Sequence, residues 1–232
     1  MKKLAIAAAL AFTMSAPLHA QILLSDNFNG EDVPGSTVLN YNLFSNWNVT
    51  GAVDLVNNGA FGVNCPSAGK CVDLAGSPGP GRITTKSFYS FVTGDKMNIS
   101  WDLSGSQRDV VAEFSLFLGF SSATSGTISA GTGLFSGFNG LPFGPSSSVE
   151  FSTGLLSNTP FATNSVEFTA LSSGSLTYGF GTNTDGNAGP ILDNVVISKT
   201  AATTSTVPEP STYAMMAFGL LAVVGASRRR RA

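Results

Sequence analysis

The stretch between the two ends of this 232-residue chain predicts an all-β fold, a single β-sandwich or jelly roll, and three observations carry that expectation. Gly, Ser, Thr, Asn, Val and Phe dominate the stretch, whereas Lys, Glu, Ala and Leu never gather there at helical spacing. Short runs alternate apolar and polar residues at a period of two, the signature of strands with one buried face. Turn residues separate these runs at intervals that suit a sandwich.

The runs can be followed in order. Ile22, Leu24 and Phe28 open the series, with Asp26 in phase. Met97, Ile99, Trp101 and Leu103 alternate with Asn98, Ser100 and Asp102, and Phe114, Leu116, Leu118 and Phe120 alternate with Ser115, Phe117 and Gly119. Val166, Phe168 and Ala170 continue the pattern, as do Leu176, Tyr178 and Phe180; Ile191, Val195 and Ile197 close it, with Asp193 in phase. Residues 121–148 depart from the plan, because Leu134, Phe135, Phe138, Leu141 and Phe143 lie among glycines and serines. The stretch reads either as a long hairpin whose phenylalanines tuck back on the sandwich, or as an exposed apolar patch for a partner or glycan face.

Both ends read as export signals. Lys2 and Lys3 precede an apolar stretch from Leu4 to Met14, and Ala16-Pro17-Leu18-His19-Ala20 offers a cut before Gln21 or within two residues of it. At the other end, Val207, Pro208, Glu209 and Pro210 lead into an apolar run from Tyr213 to Ala226, which stops at Arg228, Arg229, Arg230 and Arg231. The prolines hold an extended, accessible stretch ahead of the run. At about 14 residues the run is short of the roughly 20 that span a bilayer comfortably, so a single short transmembrane helix is expected, with the arginines on the cytoplasmic side. The expected organisation is a signal peptide at 1–20, a sandwich at 21–200, a linker at 201–206 and a sorting tail at 207–232.

The tail resembles the PEP-CTERM protein-sorting tail of Gram-negative bacteria. Resemblance implies that an exosortase, a membrane-embedded cysteine protease and transpeptidase, reads Pro208, Glu209 and Pro210, cuts near them and passes the body to the cell surface. A setting of exopolysaccharide and biofilm production is implied in the same way. The body has its own resemblance, carried by Asp26-Asn27-Phe28, Asn46-Trp47-Asn48-Val49, Cys71-Val72-Asp73-Leu74-Ala75-Gly76-Ser77, Trp101-Asp102-Leu103-Ser104-Gly105-Ser106-Gln107-Arg108 and Gly189-Pro190-Ile191-Leu192-Asp193-Asn194-Val195. These segments are similar to a recurrent PEP-CTERM ectodomain with the plan of a galactose-binding-like jelly roll.

Charge and residue supply narrow the function classes. Residues 21–206 hold 6 basic and 13 acidic residues, a net of −7, which argues against nucleic acid and anionic membranes as partners. The one histidine, His19, leaves with the signal peptide, so histidine-dependent hydrolysis is excluded. Asp54, Asp73, Asp102, Asp109, Glu113, Glu150 and Glu167 are available for carboxylate chemistry, but no spacing selects a pair. Cys65 and Cys71, the only cysteines, read in an exported chain as a local disulfide that shapes a small loop.

Two acids and several aromatics are site candidates. Asp26 and Asp193 are in phase with apolar neighbours and therefore point inward, where a carboxylate needs hydrogen bonds or a cation. By resemblance to jelly-roll binding modules, a structural calcium held by Asp26 and Asp193, with Glu31 beside them, is one expectation; capping of turns at strand ends is the other. Trp47, between Asn46 and Asn48, is the candidate for stacking on a sugar ring, ahead of Tyr41, Tyr89 and Trp101, the last of which reads as core. Arg108 offers a contact for an acidic sugar, or simply an ion pair with Asp102 or Asp109. The expected function is a non-catalytic surface or matrix protein; the alternatives are a calcium-assisted carbohydrate-binding module and, third, a glycan-active enzyme.

Overall fold

The computed structural model describes residues 19–202, apart from Pro34, Ser36, Ser67 and Pro78, together with Met215 and residues 218–220. The chain divides into two compact units, residues 1–202 and 203–232. The sorting residues Val207, Pro208, Glu209 and Pro210, the arginines Arg228, Arg229, Arg230 and Arg231, and the signal segment up to Leu18 lie outside the described residues. Met215 and residues 218–220 are helical. Among the described residues no helix is long and apolar enough to cross a membrane.

Among its described residues the first unit is β apart from one 3-10 turn, Ala60–Gly62, as its alternation predicts. Twelve strands form among the described residues: β1 (Gln21–Asp26), β2 (Trp47–Gly51), β3 (Asp54–Asn57), β4 (Lys70–Asp73), β5 (Gly81–Thr85), β6 (Tyr89–Phe91), β7 (Lys96–Ser104), β8 (Ala112–Ala130), β9 (Leu141–Leu155), β10 (Ala162–Ala170), β11 (Gly174–Gly181) and β12 (Ile191–Thr200). They pair antiparallel in one curled sheet ordered β2-β5-β11-β8-β10-β7-β12-β4-β3, with β1 on β12, β6 on β11 and β9 on β8.

The curl is built into β8. Its first half pairs with β11, residues 115–120 against 176–181, and its second half pairs with β10, residues 126–130 against 166–170. Between them the register with β9 breaks on both sides of Thr124. One strand thus leaves one layer and enters the other. Gly126 lies at the crossing, where a Cβ would fall 2.2 Å from Phe168 Cε2, so a side chain there would collide with a core ring.

Between the layers the inward residues meet as an aromatic core. Phe180 of β11 lies 5.9 Å from Trp47, 5.4 Å from Trp101 and 6.1 Å from Phe114, centroid to centroid, joining strands that are not all sheet neighbours. Every alternating apolar residue named above on β7, β8, β10 and β11 is buried, apart from Phe117, which faces the other way on β8. In β1 the alternation is less faithful: Ile22 is exposed, and the register with β12 shifts between Ile22 and Leu24. Residues 121–148 follow the tucked-back reading. Phe135 is buried within 6.5 Å of Trp101, Phe138 packs on Phe135 and Phe151, and Phe143 stacks on Phe120; Leu141 alone of the five stays exposed.

Trp47 corrects an expectation. It is 0% exposed, enclosed by Phe28 and Phe180, and its indole N–H donates to Asp26 Oδ2 at 2.9 Å. Its flanking asparagines suggest exposure, but the first residue of β2 faces inward, and the Asp26 acceptor lets the indole be buried with its donor satisfied. Stacking on a sugar is closed to it. Tyr41 is also buried, with its hydroxyl donating to Glu31 Oε2 at 3.3 Å, while Tyr89 is half-buried and Trp101 is core.

Because Phe180 touches three other rings, Phe180→Ala should cost about 3–5 kcal/mol, the range for buried aromatic truncation. Urea unfolding of the purified chain checks this, and a loss below about 1 kcal/mol would mean that the ring cluster is not the centre of the core.

Candidate functional site

The chemistry-bearing residues gather where loops leave β3, β4 and β7. Asp73, the last residue of β4, has no exposed surface. Its Oδ1 accepts the N–H groups of Ala75 at 2.9 Å and Gly189 at 2.8 Å, and its Oδ2 accepts from Arg108 Nη2. Arg108 therefore pairs with Asp73 rather than with Asp102 or Asp109. Asp102 accepts from Thr163 and Asn194 instead, and Asp109 is exposed.

Local geometry aims the arginine. Gln107 and Asp109, on either side, both have left-handed backbones with φ of 58°. Ser106 fixes the turn: its Oγ donates to Val110 O at 2.7 Å and accepts the N–H groups of Arg108 and Val110. Gln107 ties the turn to the β3–β4 connection through Asn64, donating to its carbonyl and accepting its N–H.

Asp54, at the start of β3, completes the centre. It is 2% exposed and its Oδ1 accepts the Asn40 N–H at 2.7 Å. Burial raises its pKa above the ordinary carboxylate value, while the Asn40 hydrogen bond and the Arg108 charge pull it back. Desolvation likewise lowers the Arg108 pKa, opposed by Asp54. Arg108 Nε is buried and has no hydrogen-bond partner among the described residues.

A hollow of about 110 Å³ opens beside this centre, lined by Leu39, Asp54, Phe61, Ser77, Arg108 and Asn187. Leu39 and Phe61 are 51% and 56% exposed. Phe61 sits in a 3-10 turn, Ala60–Gly62, with φ of 53°, an uncommon conformation for an aromatic residue. The turn belongs to the β3–β4 connection, whose far end the Cys65–Cys71 disulfide ties to β4 and which the Asn58 side chain braces by accepting the Cys65 N–H. A bond across so short a loop stabilises the domain by less than the ~3 kcal/mol of a 15-residue loop, and it closes residues 65–71, just beyond the turn that presents Phe61, which backbone bonds from Gly59 N–H to Val63 O and from Val63 N–H to Ala60 O hold.

Asp26 and Asp193 lie on the paired strands β1 and β12, where Asp26 is opposite Val195. Asp26 is half-buried; its Oδ1 accepts the Phe28 N–H at 2.8 Å and its Oδ2 accepts from Asn46 and Trp47, the strand-end capping role. Asp193 is fully buried and accepts the Asn194 N–H at 2.7 Å. Glu31 accepts from Ser45 and Tyr41. No group of three His, Cys, Asp or Glu able to hold a metal ion occurs among the described residues, and calcium takes six to eight oxygens. The acids considered for carboxylate catalysis are spread apart in their partners: Glu150 pairs with Arg82, Glu167 with Lys96, and Glu113 accepts from Asn183.

The sequence reading missed Phe61, Leu39 and Asn187. An aromatic flanked by Gly59 and Gly62 inside a disulfide-braced connection was the available signal for the first. Nothing local marks the other two, since loops distant in the chain bring them together.

Two outcomes are expected. Asp73→Ala should destabilise by about 3–5 kcal/mol in urea unfolding, because it leaves the half-buried guanidinium without its partner and the Ala75 and Gly189 N–H groups without their acceptor; a loss under about 1 kcal/mol would show that these groups find other partners. Calcium added to chelator-stripped protein should leave Tm unchanged, since donors already meet the Asp26 oxygens; a rise of several degrees would place an ion there.

The PEP-CTERM protein-sorting motif matches residues 206–231. No curated protein matches the chain. A cyclase from Fischerella sp. TAU shares 10% identity at a TM-score of 0.52, covering 80% of this chain and 100% of its own, a likeness of fold. The CBM22-1 xylan-binding domain of Xyn10C from Paenibacillus barcinonensis reaches 0.44 at 13% identity, covering 81% and 100%. A cleaved adhesin domain of Lys-gingipain from Porphyromonas gingivalis reaches 0.38 at 14%, covering 78% and 99%. The chain thus carries a PEP-CTERM protein-sorting motif behind a β-sandwich ectodomain.

Proposed function

We propose that this is an exported protein of the cell surface or extracellular matrix of a Gram-negative bacterium, which an exosortase sorts through its tail. Its ectodomain serves a structural or interaction role without catalysis, in an exopolysaccharide setting. The single observation that carries the reading is the sorting motif at 206–231. In this account Pro208, Glu209 and Pro210 are read at the membrane, the tail holds the protein there in transit, and the arginines stop it from crossing. The signal peptide at the other end starts the same route. Engagement of Asp102, Glu113, Glu150 and Glu167 by separate partners suits a scaffold better than a reaction centre.

A second reading, a carbohydrate-binding module, is favoured by one observation: the hollow beside Arg108, which combines exposed apolar side chains with fixed hydrogen-bonding groups. Calcium assistance through Asp26 and Asp193 is separable from it and is decided by the melting experiment above.

Intact-mass analysis of the surface fraction tests the sorting route. The mature protein should lack both the signal peptide and the stretch from Tyr213 to Ala232, whereas replacing Pro208, Glu209 and Pro210 together by alanine should leave full-length tails in the membrane fraction. Surface protein that keeps its tail would overturn the processing.

A further inference from the structure

We infer that the hollow beside Arg108 binds an uncharged sugar unit, taking a pair of its hydroxyls into the hollow while Phe61 and Leu39 cover the ring's C–H face. This rests on the reading of the ectodomain as a surface interaction domain and names the ligand that one of its sites takes.

Size sets the first limit. At about 110 Å³ the hollow holds the volume of roughly three or four water molecules, enough for the hydroxyls along one edge of a sugar but not for a chain. The rest of the ring must lie at the mouth. Two apolar side chains more than half exposed stand there, one of them an aromatic held out by a left-handed backbone in a disulfide-braced connection. An exposed ring fixed in position is what a C–H face packs against at small entropic cost.

Charge sets the second. Arg108 supplies donors, but Asp73 already accepts from it and Asp54 faces it as well, so one positive charge meets two negative ones. An anionic sugar would have to displace buried carboxylates in an ectodomain of net −7, and for a cationic one the carboxylate in the lining, Asp54, is already buried, accepts the Asn40 N–H and lies beside the Arg108 guanidinium. Hydroxyls suit the lining, because they accept from Arg108, Asn187 and Ser77 and donate to Asp54 and Asn187.

The test uses the full chain in detergent with laminarin, xylan and dextran as neutral polysaccharides, alginate as the anionic arm and chitosan as the cationic one. The expected result is saturable binding to at least one neutral polysaccharide, weakened about tenfold or more by Phe61→Ala and by Asn187→Ala with Tm unchanged. No binding to any of the three, tighter binding to alginate or chitosan, or binding that both substitutions leave intact would overturn the inference. Surface delivery and tail removal of the Phe61→Ala protein are measured in parallel. Normal delivery without wild-type binding fails the hollow alone, and tail retention in wild type fails the sorting reading alone.

Discussion

The ion pair between Asp73 and Arg108 is the constraint on which the loop end of this sandwich depends. Asp73 is fully buried and holds three segments at once: its own exit turn through the Ala75 N–H, the approach to β12 through the Gly189 N–H, and the β7–β8 connection through Arg108. A buried carboxylate persists only where its lone pairs find donors, and this one finds them in three parts of the chain. Each connection is therefore placed by the other two. Leu74 follows the carboxylate into the core, and Gly189 packs so closely on Ala75 that a Cβ would lie 2.6 Å from its nitrogen.

That polar clamp and the aromatic core divide the work. Phe180, Trp101, Phe114 and Trp47 fix the distance between the layers, and β8 fixes their connection by running through both. Neither feature controls the surface of the loops. There the backbone does so, through left-handed residues at Asn40, Phe61, Gln107 and Asp109, each of which lines the hollow or adjoins a residue that does. Asn and Asp adopt such a conformation readily; Phe61 and Gln107 hold it where their surroundings over-determine them, through the backbone bonds between Gly59 and Val63 for the first and the Ser106 and Gln107 side-chain hydrogen bonds for the second.

The fold was legible because burial repeats every second residue. Met97, Ile99, Trp101 and Leu103 show the inner face of β7 without any knowledge of what they pack against. The Cys65–Cys71 bond was legible from two cysteines in an exported chain, and the tail from three parts in fixed order. Trp47 misled because neighbouring asparagines suggest solvent, although strand phase decides which way a side chain points. Arg108 was noticed, yet its partner lay 35 residues away in sequence, where no local spacing reveals it. The hollow was illegible for the same reason, being assembled from loops that only the sheet order brings together.

The last strand has a mechanical consequence. β12 lies inside the sheet, with β7 along one side and β4 and β1 along the other, and beyond it the Ala202 N–H donates to Asp95 Oδ1 at 2.9 Å. A tension applied beyond Ala202 first meets that clasp and then runs along β12, so the hydrogen bonds on both flanks bear the load together in shear instead of opening one at a time. A pull carried through the segment after Ala202 would thus reach the body at a strand hydrogen-bonded along both flanks, and resistance to a steady pull would be set by the rate of unfolding through that strand.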